Sequence, residues 1–226
     1  MREKLILTLG SLGTVLMLWV IYRVFLGLPA EILQGDIYRI IFIHVPAAIT
    51  AYCLYGVAVI ASVGFLIKRN FVMDSLAVSC VEVAQVFTLV NLVTGSIWGR
   101  IIWGIWWTWD LRLTSQLMCF LLYLGYLLLR PAVSDPTQRG VMSAILAIFA
   151  AADIPLVVMA IRLKNVRTQH PQPVLETGGL DPSFVAPFVV SMVALMLIGT
   201  ALVLIRLQQE STRREIDSLR RELHAV

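Results

Sequence analysis

The sequence predicts an all-α, polytopic membrane protein with six transmembrane helices and a short Trp-rich helix on its outer surface. Three observations carry that prediction. Of 226 residues, 59% are hydrophobic and only 14% charged, with a mean hydropathy of +0.85. A soluble domain cannot hide so much apolar surface, so lipid must solvate most of it. The apolar residues gather into six stretches, near 5–27, 40–67, 76–97, 113–130, 140–162 and 183–206, each near the roughly 20 residues a helix needs to cross a bilayer. Five of the six tryptophans crowd between Trp98 and Trp109, in the run between the third and fourth stretches. None of the stretches has the short alternating pattern of a membrane β-strand. The expected organisation is a six-helix membrane domain over 1–206 and a cytoplasmic helical tail over 207–226.

The first stretch opens with Arg2 and Lys4 as a signal peptide would, but no small-residue cleavage site follows, so it reads as a retained helix. After a short loop from Pro29 comes Ile-Phe-Ile-His44-Val-Pro46. Proline is tolerated in a first helical turn but not well inside a helix. The second span is therefore expected to start near Pro46, with His44 in an interfacial turn beside the break. Lys68-Arg69-Asn70 marks the next turn, and the third span carries Glu82, Gln85 and Asn91. Trp103, Trp106, Trp107 and Asp110 then follow i, i+3, i+4, i+7 spacing, which predicts the short surface helix. The fourth span ends at Arg130-Pro131. The fifth holds Asp153 and Pro155, where a kink is expected. The last loop places His170 before Pro171 and Pro173, which favour extended backbone. In the tail, Ile216, Leu219 and Leu223 share one helical face.

Charge orients the chain. With the N-terminus inside, eleven of the eighteen Lys and Arg residues fall on inner segments, which favours both termini in the cytoplasm. Arg39, Arg100, Arg112, Arg162, Lys164 and Arg167 lie on the outer side, and an anionic ligand there is one reason for them. Several function classes are excluded. Cys53, Cys80 and Cys119 sit in apolar spans as small hydrophobes, and neither C-x-x-C nor C-x-x-C-H occurs, so neither dithiol chemistry nor covalent c-type haem attachment is encoded. There is no P-loop, metalloprotease or nucleophile-elbow motif, hence no ATPase or hydrolase signature. The basic residues follow the membrane rule and give no support for nucleic-acid binding.

The candidate site is the outer face. An aromatic belt spreads tryptophans over all helix ends; here only Trp19 lies outside the cluster. Trp98, Trp103, Trp106, Trp107 and Trp109 thus read as a platform for something flat, aromatic and apolar. His44 and His170 map to the same face, on either side of the cluster in sequence. Such a pair suits axial ligation of haem iron, although a single interfacial histidine is commonly a half-buried polar tip. Arg100 and Arg112 bracket the platform and suit the carboxylates of a ligand, with Arg39 third; the plainer reading is interfacial anchoring. Asp110 sits where an aspartate caps a helix N-terminus. Glu82 and Asp153 are intramembrane carboxylates, which leaves a small-solute permease open as an alternative, beside a b-type electron-transfer subunit.

At this point the residues resemble a family. The run Trp98-Gly-Arg-Ile-Ile-Trp-Gly-Ile-Trp-Trp-Thr-Trp-Asp-Leu-Arg-Leu-Thr114 is similar to the tryptophan-rich WWD segment of haem-handling proteins. Trp-Asp followed by x-Arg-Leu-Thr resembles CcmC, the cytochrome c maturation protein C family, as does Gly35-Asp-Ile-Tyr-Arg-Ile-Ile-Phe-Ile-His-Val-Pro-Ala-Ala48 at the entrance to the second span. The resemblance implies a haem exporter or haem-handling protein that binds haem b non-covalently at the periplasmic face of the bacterial inner membrane. It implies delivery to the haem chaperone CcmE, and work with the ABC-type subunits CcmA and CcmB and with CcmD. It also implies His44 and His170 as axial ligands, with the indoles lining the porphyrin and Asp110 shaping the platform.

Overall fold

The computed structural model describes residues 2–163, 168, 170 and 180–224. Helix α1 spans Arg2–Tyr22 and closes in a π-helical turn over Arg23–Gly27. A 3₁₀ turn at Asp36–Ile40 leads into α2 (Ile41–Lys68), followed by α3 (Phe71–Trp103), α4 (Leu111–Ala132), α5 (Pro136–Ala151), α6 (Ile154–Met159) and α7 (Pro182–His224). Six helical segments are long and apolar enough to cross a membrane, and among the described residues there is no strand. The all-α, six-span expectation therefore holds.

Local chemistry sets the ends. Asn70 caps α3 by accepting from the Val72 amide at 2.9 Å, and Asp135 caps α5 by accepting from Gln138 N–H at 2.6 Å with Pro136 at the first helical position. Gly104 ends α3 at φ 75°, a left-handed conformation that glycine adopts without strain. That terminus corrects the expected surface helix: α3 runs through Trp103, and residues 104–110 are irregular. The i, i+3, i+4, i+7 pattern crosses a helix stop, because a glycine in αL costs less than carrying the helix through it. The kink expected near Asp153 is present: α5 breaks at Ala152–Asp153, and α6 restarts with Pro155 in its first turn.

The second span also begins earlier than expected. Pro46 lies inside α2, and His44 is in the helix rather than in a preceding turn. Proline at 46 removes the amide that would bond the Phe42 carbonyl. The hydroxyl of Ser191, from α7, donates to that carbonyl instead, so the helix survives its proline.

The core gathers where α2, α3, α4 and α5 meet. Ala47, Ala51, Ala58 and Ala84 are fully buried there and let helix backbones approach closely, as small residues do in lipid. Tyr55 stacks on Tyr123 with ring centres 3.9 Å apart. Helix α1 packs on α7 through Gly13, where an added Cβ would stand 2.8 Å from Ile198 Cγ1. Cys80 and Cys119 are buried as expected, whereas Cys53 faces outward. The tail is an unbroken continuation of α7, about 65 Å long at 1.5 Å per residue. It is tied to the bundle at the end where α3 starts and α4 finishes. There Arg130 grips the buried Asp74 through two contacts of 2.8 Å, and Arg214 reaches the same carboxylate and Glu210. Further along, Ile216, Leu219 and Leu223 are exposed.

Candidate functional site

At the opposite end of the bundle, where α2 and α4 begin and α3 finishes, a cleft of about 170 Å³ opens. His44, His170, Trp98, Trp103, Trp106, Trp107 and Arg112 line it, with Ala48, Ile49, Tyr52 and Gln116 deeper between the spans. Two histidines 126 positions apart in the chain face one another here: their ring centres are 6.3 Å apart and the planes are tilted by 31°. Two imidazoles on opposite sides of one metal, with about 2.0–2.1 Å per metal–nitrogen bond and about 1.1 Å from nitrogen to ring centre, have centres about 6.3 Å apart. The spacing and the apolar, indole-rimmed walls therefore fit a flat metalloporphyrin.

His44 is 7% exposed and held on several sides. Trp98 meets it edge-on at 5.8 Å, and the indole N–H of Trp98 donates to Gln34 Oε1 at 2.6 Å. The Thr94 hydroxyl lies 3.0 Å from His44 Nδ1 and also 2.6 Å from the Val90 carbonyl. A carbonyl only accepts, so the single hydroxyl proton is taken by the backbone, and Thr94 Oγ1 must accept from Nδ1–H. That fixes the tautomer and leaves the lone pair on Nε2, the usual device for orienting a histidine ligand. The Asn91 amide nitrogen donates to the His44 carbonyl at 3.1 Å and lies nearly equidistant from the two ring nitrogens, 3.3 Å from Nδ1 and 3.2 Å from Nε2, so it sits over the ring face and does not take the in-plane lone pair of Nε2.

His170 is tied to the same framework. Its backbone N–H donates to Thr168 Oγ1 at 3.2 Å, and the Thr168 hydroxyl donates to Asp110 Oδ2 at 3.1 Å. Asp110 Oδ1 accepts from the Leu113 amide at 3.0 Å, capping α4. One carboxylate thus fixes both the start of α4 and the residue pair that presents His170. Pro171 and Pro173, expected to stiffen this arm, lie outside the described residues, as do Lys164 and Arg167.

The remaining sequence candidates separate by position. Trp109 is 76% exposed, packs edge-on to Trp107 and does not line the cleft. Arg100 donates to the Gly104 carbonyl and lies over the Trp106 ring at 5.9 Å, so it braces the platform from outside. Arg39 pairs with Asp36 at 2.9 Å and bonds the Leu28 carbonyl, away from the cleft. Of the three arginines, Arg112 alone lines it. Glu82 pairs with Arg206 between α3 and α7, and neither it nor Asp153 lines the cleft. Thr94, Gln116, Tyr52, Gln34 and Thr168 were not singled out from sequence. The i+3 series Gln85, Thr88, Asn91 and Thr94, a polar stripe inside an apolar span, was the available signal for α3. Gln116 follows Arg112 by one helical turn.

Fold and site together define a class: a multi-pass helical membrane protein with a two-histidine, indole-walled cleft at one end of its bundle. Comparison with known proteins agrees and is more specific. The sequence model of the CcmC family, described as "Heme exporter protein C", matches residues 1–222. The heme exporter protein C of Bradyrhizobium diazoefficiens is 38% identical over 193 residues, covering 84% of this chain and 73% of that protein. That of Escherichia coli K12 is 36% identical over 182 residues, covering 80% and 73%, and that of Paracoccus denitrificans 34% over 193 residues, covering 84% and 80%. The chain belongs to the CcmC family.

Proposed function

We propose that this protein holds one haem b, non-covalently, in the cleft at the periplasmic face of a bacterial inner membrane and passes it to the haem chaperone CcmE during cytochrome c maturation. His44 and His170 are the axial ligands. Trp103, Trp106 and Trp107 cover the porphyrin faces, Trp98 and Asp110 position the two histidines, Arg100 braces Trp106, and Arg112 meets a carboxylate. The observation that carries this reading is the 6.3 Å separation of the two imidazole centres at the mouth of an indole cleft. Both termini are cytoplasmic in this reading, in line with the excess of Lys and Arg on the corresponding segments. The sequence carries no nucleotide-binding loop, so energy for export comes from a separate ABC-type pair, CcmA and CcmB, with CcmD as a further subunit. The part of α7 beyond residue 206 faces the cytoplasm in this reading.

Bound haem supplies an iron that two imidazoles can hold and release. This chain supplies the rest: a tautomer fixed by Thr94, a His44 backbone pinned by the Asn91 amide, and an arm hung on Asp110 through Thr168. Release then requires movement of the segment bearing His170, since His44 is built into α2. The test is haem content of purified wild type, His44→Ala and His170→Ala, with and without CcmE. Each substitution is expected to shift or abolish the Soret band of the six-coordinate form and to stop loading of CcmE. A normal band in both variants refutes bis-histidine ligation.

A further inference from the structure

The inner wall of the cleft carries donors with nothing to donate to. Arg112, the second residue of α4, makes one hydrogen bond, to the Val157 carbonyl at 2.9 Å, and among the described residues no carboxylate lies within 4 Å of it. One turn further along the same face is Gln116, only 6% exposed. Tyr52 donates its hydroxyl to Gln116 Oε1, which turns the amide so that its NH₂ end is left over, and Nε2 is buried without a partner. The indole N–H of Trp107, on the same cleft, is likewise buried without an acceptor. A guanidinium at the start of a span whose donors are only partly used gains from an added anion, and each buried donor left unpaired is costly. Three such groups lining one apolar cleft ask for the same thing, a planar anion that only accepts.

Resting on the haem reading above, we propose that Arg112, Gln116 and Trp107 form a carboxylate corner that takes one propionate of the porphyrin, with Tyr52 as the positioning residue for the Gln116 amide. Tyr52 lies two helical turns beyond His44 along α2, so the corner is on the membrane side of the histidines. The ligand is therefore seated with a charged edge pointing into the protein rather than to water, and its uncharged edge faces the indole rim. Arg39 and Arg100, engaged elsewhere, take no part. The corner makes the site select for a free acid: a porphyrin without ionised carboxylates leaves Gln116 Nε2 and the Trp107 indole N–H unpaired and Arg112 with the Val157 carbonyl alone.

The test compares iron protoporphyrin IX with its dimethyl ester, titrated into the full-length protein in lipid nanodiscs and followed by the Soret band. Wild type is expected to bind the acid roughly 10- to 100-fold more tightly than the ester, the effect of one or two hydrogen bonds to a charged group. Gln116→Glu keeps the size of the side chain and sets a negative charge against the incoming one, so the acid-over-ester preference should collapse or invert. Tyr52→Phe should reduce the preference by a smaller factor. Ester binding in these variants shows that the cleft is still folded. Equal affinity of wild type for acid and ester, or an unchanged preference in Gln116→Glu, overturns the carboxylate corner and leaves the haem reading standing. Failure of wild type to bind either porphyrin overturns both.

Discussion

Thr94→Val isolates the hydrogen bond that orients His44. Valine matches threonine in shape, so packing is kept, but it removes the oxygen 3.0 Å from Nδ1. Two outcomes are open to the buried imidazole. It keeps Nδ1–H without an acceptor, at a cost of about 1–3 kcal/mol. Otherwise it moves the proton to Nε2, where Asn91 is 3.2 Å away and iron would have to bind. Either route weakens ligation. Loss of a partner that orients a metal ligand generally lowers metal affinity about 10- to 100-fold, which matches the hydrogen-bond cost at roughly 1.4 kcal/mol per factor of ten. The assay is Soret titration of purified protein in nanodiscs, with the spin state of the bound haem recorded alongside. Thr94→Ser retains the hydroxyl and should bind close to wild type. Wild-type affinity in Thr94→Val, or equal impairment in Thr94→Ser, would show that the tautomer argument is wrong.

Two further outcomes follow from the contacts at either end of the bundle. Asp110→Asn keeps a capping oxygen for α4 but weakens the acceptor for Thr168, so the helix should be retained while exogenous imidazole displaces His170 more readily; Asp110→Ala loses the cap too and should cost about 1 kcal/mol more in thermal stability. Asp74→Leu leaves Arg130, itself buried, with Glu210 at 4.0 Å as its nearest carboxylate and the Tyr126 hydroxyl at 3.4 Å, and should destabilise the protein by about 3–5 kcal/mol; the double variant Asp74→Leu/Arg130→Met should recover much of that loss in the same melting experiment.

How much was legible in the sequence depended on whether a residue's partner was near it in the chain. The six spans were readable because each is a continuous apolar run, and the cap at Asp110 because it bonds an amide three positions away. The start of α2 was not, since the hydroxyl that takes up the carbonyl freed by Pro46 belongs to Ser191, 149 positions from Phe42. The surface helix failed for the opposite reason: the periodicity of Trp103, Trp106, Trp107 and Asp110 was real, but a local glycine overrode it. Composition could place three arginines on the cleft side of the bundle, yet only the fold could say which lines the cleft, because Arg39 turns to Asp36 and the Leu28 carbonyl and Arg100 to the Gly104 carbonyl. Tyr52 and Gln116 were invisible for a related reason. A tyrosine and a glutamine in apolar spans look like ordinary core residues until their unmet donor is seen against the cleft.

The length of α7 has a mechanical consequence. It is one continuous helix, gripped near Glu210 and Arg214 by the charges around Asp74 and beginning at Pro182. From that grip the helix runs about 42 Å to its start at Pro182. The same helix is held again towards its other end, where Ser191 donates to the Phe42 carbonyl and Ile198 packs against Gly13, so one element ties the two ends of the bundle together.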